Sequence, residues 1–244
     1  MAPRPTPRPA DDDPTPRSTA VLRCERLTIG YADIPVAAPV DVELAAGDLV
    51  AVIGANGTGK STLLRTVLGL QLPVTGAVTA FGRAVDERSR DLRARVVSVL
   101  DDDASFPGLT VREHLTLVAR AHRVSDTDAV VDAAVDALGL GAFEETFPHA
   151  LSSGQRRRFL LASAFVRPRE LLVLDEPEQR LDLHLRDRLA ELLREEADAG
   201  VAVLFATHDE RLLTATGAHV LALGEGRSVL LDPHDGRGEL ARIR

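Results

Sequence analysis

The sequence predicts an α/β fold with a mostly parallel sheet. Three observations predict it. Leu49-Val50-Ala51-Val52-Ile53, Leu171-Leu172-Val173-Leu174 and Val201–Ala206 are unbroken apolar runs of strand length, as expected of strands covered on both faces. Segments with helical apolar spacing separate these runs, which is the alternation of a parallel sheet with crossover helices. Gly54-Ala55-Asn56-Gly57-Thr58-Gly59-Lys60-Ser61-Thr62 joins the end of the first run to Leu63, Leu64, Val67 and Leu68 at helical spacing. It fits the phosphate-loop pattern G-x-x-x-x-G-K-[ST] in its required strand–loop–helix setting. In a parallel sheet, ligands bind at the carboxyl ends of the strands.

Taken in order, residues 1–19 are rich in proline, place a basic half before Asp11-Asp12-Asp13 and hold few apolar residues. They read as a disordered or polyproline tail, leaving 20–244 for the folded domain. Val21–Ile29 reads as a strand followed by Tyr31. Val40–Leu44 alternates apolar and acidic residues, so it reads as a half-exposed strand. A turn at Ala45–Asp48 leads into the phosphate-loop strand, and Gly69 stops the helix after the loop. Pro73–Gly76 is a turn, Ala77–Phe81 a short strand, and Arg95–Leu100 an apolar run ending at Asp101-Asp102-Asp103.

The middle of the chain is helical. Val111–Val124 and Asp128–Leu138 carry apolar stripes, with Thr110 and Asp126 as N-caps and Gly139 as a C-cap. Ser152-Ser153-Gly154-Gln155 opens a helix that runs to Val166 and stops before Pro168. After the strand ending in Asp175-Glu176, Leu183–Ala199 is an amphipathic helix closed by Gly200. The strand Val201–Ala206 then ends in Thr207-His208. Val220–Leu223 and Ser228–Leu231 flank Gly224-Glu225-Gly226 as a hairpin.

Composition narrows the function classes. Net charge is −8, which argues against nucleic-acid binding as the main task. A single cysteine, Cys24, excludes an internal disulfide and a cysteine-based zinc site and suits a reducing compartment. No apolar stretch approaches transmembrane length. The chain holds one lysine, Lys60, against 28 arginines. Its only compact ammonium therefore stands where a phosphate cradle suits it better than a planar guanidinium.

The glycines of 54–62 let the backbone approach a phosphate, and the helix start adds inward N–H groups and a positive dipole end. In this pattern Lys60 reaches the β- and γ-phosphates and the Ser61 hydroxyl ligates Mg²⁺. Asp175 closes an apolar strand, as a Walker B aspartate does, and is placed to hold Mg²⁺. Glu176 is placed to polarise the attacking water. His208 ends the neighbouring strand.

The chain resembles the nucleotide-binding domain of an ABC ATPase over residues 21–231. Leu151-Ser152-Ser153-Gly154-Gln155 is similar to that family's LSGGQ signature, Leu181-Asp182 to its D-loop, and His208 to its switch histidine. Tyr31 sits where the family stacks an aromatic ring on adenine. The resemblance implies a P-loop NTPase core carrying an N-terminal antiparallel β subdomain and an inserted α-helical subdomain over about 104–168. It implies ATP and Mg²⁺ as cofactors and two domains packed head to tail, as homodimer or heterodimer. Each ATP would lie between the loop 54–62 of one chain and Ser152, Ser153, Gly154 and Gln155 of the other. It implies hydrolysis with Lys60, Glu176 and His208 as the catalytic set, at the cytoplasmic face of a cell membrane, on a membrane-spanning partner encoded as a separate chain. The alternative is a soluble, non-transport ABC ATPase acting in assembly of another complex. A chromosome-type ATPase of this fold would need a long coiled-coil insertion, which this sequence lacks.

The sequence departs from the family at three places. The family's Q-loop glutamine falls on Asp101, an acceptor without donor capacity when ionised, so Asp101 is expected as a third metal ligand with altered coupling to the partner. Ser153 replaces a glycine. Glu178-Gln179-Arg180 stands where small residues are common.

Overall fold

A computed structural model describes residues 20–100 and 105–243. The tail 1–19 and the Asp101 expectation fall outside the described residues.

The elements are β1 (Leu22–Thr28), β2 (Gly30–Tyr31), β3 (Ile34–Pro35), β4 (Val40–Leu44), β5 (Leu49–Ile53), α1 (Lys60–Val67), β6 (Thr75–Ala80), β7 (Arg83–Ala84), α2 (Arg90–Arg95) and β8 (Val96–Val99). Then follow α3 (Val111–Ala121), α4 (Thr127–Ala137), α5 (Ser153–Phe165), β9 (Leu171–Asp175), α6 (Leu183–Asp198), β10 (Ala202–Ala206), α7 (Glu210–Thr216), β11 (His219–Ala222), β12 (Val229–Leu231) and α8 (Pro233–Ile243).

Two sheets organise them. The larger has the order β12-β11-β5-β10-β9-β8. Every pairing in it is parallel except the edge hairpin β11–β12. The smaller sheet, β4-β1-β6-β7, is antiparallel throughout. The chain is therefore α/β, with a mostly parallel sheet and an antiparallel β subdomain. The crossover at β5-β10-β9 sets three strands far apart in sequence side by side.

Strand patterning explains the layering. Every residue of β5, β9 and β10 is buried, because both faces of the large sheet are covered. Leu49, Ala51, Ile53, Leu172, Leu174, Val203 and Phe205 point into a core shared with α3, α4, α5 and α6. Val50, Val52, Leu171, Val173, Leu204 and Ala206 point the other way, into a core shared with α1 and the antiparallel sheet. The period-2 alternation of side chains makes this division automatic. β4 instead shows buried and exposed residues in strict turn, as its Val-Asp-Val-Glu-Leu pattern requires.

The capping expectations hold. Thr110 and Glu113 form a reciprocal capping box on α3, and Ser152 and Gln155 form one on α5. Asp126 caps α4 by accepting from the Ala129 N–H. Some boundaries move. β6 begins at Thr75 rather than Ala77, because Thr75 pairs with Thr28 and the two hydroxyls bond at 2.9 Å. The hairpin β2–β3 and the elements β7, α2, α7 and α8 are not evident in the sequence pattern. α8 begins with proline and contains two glycines, which disfavour helix on propensity alone. Packing overrides propensity here. A Cβ on Gly236 would stand 2.2 Å from Val220 Cγ2, so glycine lets α8 lie against β11, and Leu240 is buried beneath it.

Candidate functional site

Strand register builds the site. Ala206 pairs with Val52 on one side and Asp175 on the other. The carboxyl ends of β5, β10 and β9 therefore lie in line, and each releases its next residues at the same sheet edge. β5 releases the phosphate loop, β10 releases Thr207-His208, and β9 ends in Asp175-Glu176. Backbone bonds lock the edge: the Thr207 N–H donates to Val52 O and the Glu176 N–H to Ala206 O.

The loop 54–62 wraps round the Lys60 ammonium. Lys60 Nζ donates to Gly54 O at 2.9 Å and Ala55 O at 3.1 Å, and the residue is buried. Burial lowers the Lys60 pKa below its ordinary value, while the Glu176 and Asp175 carboxylates pull it back up. Those carboxylates thus act electrostatically on the loop lysine. Thr58 Oγ1 donates back to Ala55 O at 2.9 Å, tightening the curl. Gly59 has φ +88°, and a Cβ there would stand 2.6 Å from Val36 Cγ2, so this position requires glycine twice over. Ala55, Asn56, Gly57 and Ser61 are exposed, while Thr62 is buried.

The donor set fits a phosphate and a hard cation. α1 starts at Lys60 with no side-chain cap and no acidic residue in its first turn, so its first N–H groups remain available to an anion. An exposed hydroxyl at Ser61 and a carboxylate at Asp175 supply the few oxygen ligands that Mg²⁺ takes from protein beside substrate phosphates. Asp101, the other metal candidate, lies outside the described residues.

Tyr31 stands beside the same loop. Its hydroxyl bonds Thr62 Oγ1 at 3.0 Å, while the residue is 59% exposed, which leaves the aromatic side chain open to solvent.

Glu176 and His208 come together, with His208 Nε2 3.3 Å from Glu176 Oε1. Glu176 Oε2 accepts from Gln179 Nε2 at 2.6 Å. The Glu176 backbone is left-handed, with φ +43°, a conformation costing a non-glycine residue about 1–2 kcal/mol. Arg157 offsets that cost. Its buried guanidinium donates through Nη2 to the carbonyls of Asp175 and Glu176, and through Nε to that of Pro177. Hydrogen bonds from a charged donor contribute about 1.5–3 kcal/mol each, enough to hold the turn.

Ser152, Ser153, Gly154 and Gln155 are not part of this gathering. Among the described residues, no hydrogen bond or ion pair joins them to loop 54–62. They form the N-terminal turn of α5, where the Ser152 N–H donates to Gln155 Oε1 at 2.8 Å and the Gln155 N–H to Ser152 Oγ at 3.3 Å. Ser152 and Ser153 face solvent.

The sequence reading missed three neighbours of the site. Arg157 is one of three consecutive arginines, and it is the inward one. α5 also buries Phe159, Leu160, Leu161, Ala162 and Ala164, so apolar spacing in the sequence did not single it out. Glu178 and Gln179 stood out only as a departure from small residues, and no periodicity marks their contacts, because both lie in a turn. Glu178 is buried and accepts from the Thr207 hydroxyl through Oε1, while its Oε2 has no hydrogen-bond partner among the described residues.

The comparisons with known proteins agree with this geometry. The profile of the ABC transporter family matches residues 37–179. The chain belongs to the ABC transporter family. It is 36% identical over 200 residues to the sulfate/thiosulfate import ATP-binding protein CysA of Mycolicibacterium paratuberculosis, covering 81% of this chain and 55% of that protein. It thus spans just over half the length of that relative. It is 35% identical over 224 residues to the ferric enterobactin transport ATP-binding protein FepC of Escherichia coli, covering 87% of this chain and 81% of that one. The solved structure of an ATP-binding subunit of an ABC transporter superposes with a TM-score of 0.80 at 26% identity, covering 92% of this chain and 94% of the other. Among the described residues of this ABC-family chain, no helix is long and apolar enough to cross a membrane.

Glu178 gives the site a pH signature. Burial pushes its carboxyl above the usual range, Asp209 and Glu176 add to the rise, and the Thr207 bond opposes it. A carboxyl raised on folding favours the folded state below the unfolded pKa and loses that contribution as pH rises through the folded value. Glu178→Gln removes the loss. Its melting temperature should gain on the parent as pH rises above the ordinary carboxylate range, by about 2–4 °C per kcal/mol relieved. A difference independent of pH by calorimetry would contradict this.

Proposed function

We propose that this chain hydrolyses MgATP at a site shared between two such chains, as the energising subunit of a transporter whose membrane-spanning part is a separate chain. The observation that carries hydrolysis is the shared sheet edge, where loop 54–62, Asp175, Glu176 and His208 meet.

ATP binding is an exchange of partners. The Lys60 ammonium leaves the carbonyls of Gly54 and Ala55 for β- and γ-phosphate oxygens. The uncapped N–H groups of α1 donate to oxygens of the same phosphates, and the open face of Tyr31 receives the adenine. Ser61 and Asp175 would hold Mg²⁺, which would supply positive charge against the phosphates. Glu176 accepts a proton from a water molecule, whose oxygen attacks the γ-phosphorus as the bond to the ADP oxygen breaks. His208, within 3.3 Å of Glu176, orients that carboxylate and the departing phosphate.

The exposed start of α5 supports a two-chain site. Ser152 and Gly154 are unengaged with their own loop, and their helix N-terminus suits a phosphate brought by a second chain. Loss of the γ-phosphate on hydrolysis would then separate the chains and drive the partner.

Exposed apolar residues support a membrane-subunit partner. Leu70, Leu72 and Phe106 are 49%, 86% and 52% exposed. Leu70 and Phe106 flank a cleft floored by Val97, Val99 and Leu160 beside Arg65 and Arg167. Such a face suits an amphipathic segment of a spanning subunit, and it would hold the chain at the cytoplasmic surface of the membrane. The two relatives are named for different cargoes.

Two variants test the site. Lys60→Ala should abolish tight ATP binding by calorimetry, because the phosphates lose their only lysine. An unchanged affinity would rule the site out. Glu176→Gln should bind MgATP, fall at least about a hundredfold in turnover, and elute as a dimer in size-exclusion chromatography with MgATP. A strict monomer would exclude a homodimeric site.

A further inference from the structure

Arg157 ties the start of α5 to the backbone that carries Glu176. The residue is 6% exposed, and one guanidinium serves the consecutive carbonyls of Asp175, Glu176 (Nη2–O 2.9 Å) and Pro177 (Nε–O 3.4 Å). The middle residue of those three is the one in the left-handed region, at φ +43°. This turn directs the Glu176 carboxylate between His208 and Gln179. An extended or right-handed backbone at that position would send the side chain elsewhere.

A second contact fixes the same two segments. Gly154 abuts the carbonyl of Arg180, which would lie 2.8 Å from a Cβ at that position. The N-terminal part of α5 and the turn 175–180 therefore touch at two places, through Arg157 and Gly154.

We propose that Arg157 is a positioning residue for hydrolysis: it holds Glu176 in its left-handed turn and transmits the orientation of the α5 N-terminus to that carboxylate. The proposal rests on the reading of Glu176 as the group that accepts the proton of water. In a two-chain site, the α5 of each chain would report the other chain's phosphate to its own Glu176. A bound γ-phosphate at Ser152–Gln155 would thus set the carboxylate of the second site. Lysine cannot replace the arginine here, since an ammonium is a point donor and cannot span three carbonyls as a planar fork does.

The test is steady-state and single-turnover ATPase kinetics of Arg157→Lys and Arg157→Gln, alone and combined with Glu176→Gln. Arg157→Lys keeps the buried cation and the methylene stem. It should bind ATP within twofold of the parent and lose about tenfold to a hundredfold in kcat, with KM little changed. In the Glu176→Gln background, Arg157→Lys and Arg157→Gln should have no further effect on the residual rate, because the group they position is already gone. A parental kcat for Arg157→Lys would overturn the proposal. An equal loss from Arg157→Lys in both backgrounds would also overturn it, as that is the signature of a structural role. If Arg157→Gln does not fold, Arg157→Lys decides alone. Failure of the underlying reading is distinguishable, because the parent chain itself would then show no hydrolysis or Glu176→Gln would retain full turnover.

Discussion

The alignment of three strand ends is the constraint on which the rest depends. β5, β10 and β9 are 5-residue strands, and Ala206 fixes their register by pairing with both Val52 and Asp175. A slip of one residue would turn every side chain of a strand to the opposite core. It would also move Asp175 or His208 along the sheet edge by about 3.3 Å, beyond hydrogen-bond reach of its neighbours. The apolar residues that make these strands thus specify the site as strongly as the polar residues that end them.

Around that edge, local strain is held by burial rather than by chain stiffness. Glu176 is left-handed without being glycine, and Gly59 is left-handed with the Val36 side chain closing on it. Both features persist because neighbouring segments over-determine them. Arg157 contributes the donors at Glu176. The loop carbonyls of Gly54 and Ala55 hold Lys60 until a phosphate replaces them. Charge balance follows the same pattern: one ammonium stands among carboxylates on one side and uncapped N–H groups on the other.

Much of this was legible in the sequence, for physical reasons that particular residues show. The loop 54–62 declares itself because glycine spacing, a flanking apolar strand and a following helix all have local causes. Thr110 and Asp126 were readable as caps because capping is decided within four residues. The parallel sheet followed from the uninterrupted apolar strands. The order of its strands did not, since the pairing of β5 with β10 and β11 is a long-range matter. Nor was the inward turn of Arg157 evident in a run of three arginines, because it depends on how α5 meets the backbone at 175–177. Glu178 reads as a surface acid until the fold buries it against Thr207. α8 was hidden by Pro233 and two glycines, one of which exists to let the helix approach Val220.

Hydrogen exchange of backbone amides, with and without MgADP, tests the account most directly. It reads out where a nucleotide sits without depending on turnover or on any variant. MgADP should slow exchange in residues 54–62 and in 175–178, while α8 and the edge strand β12 stay as they were. Protection that leaves 54–62 untouched, or no protection at saturating MgADP, would contradict it.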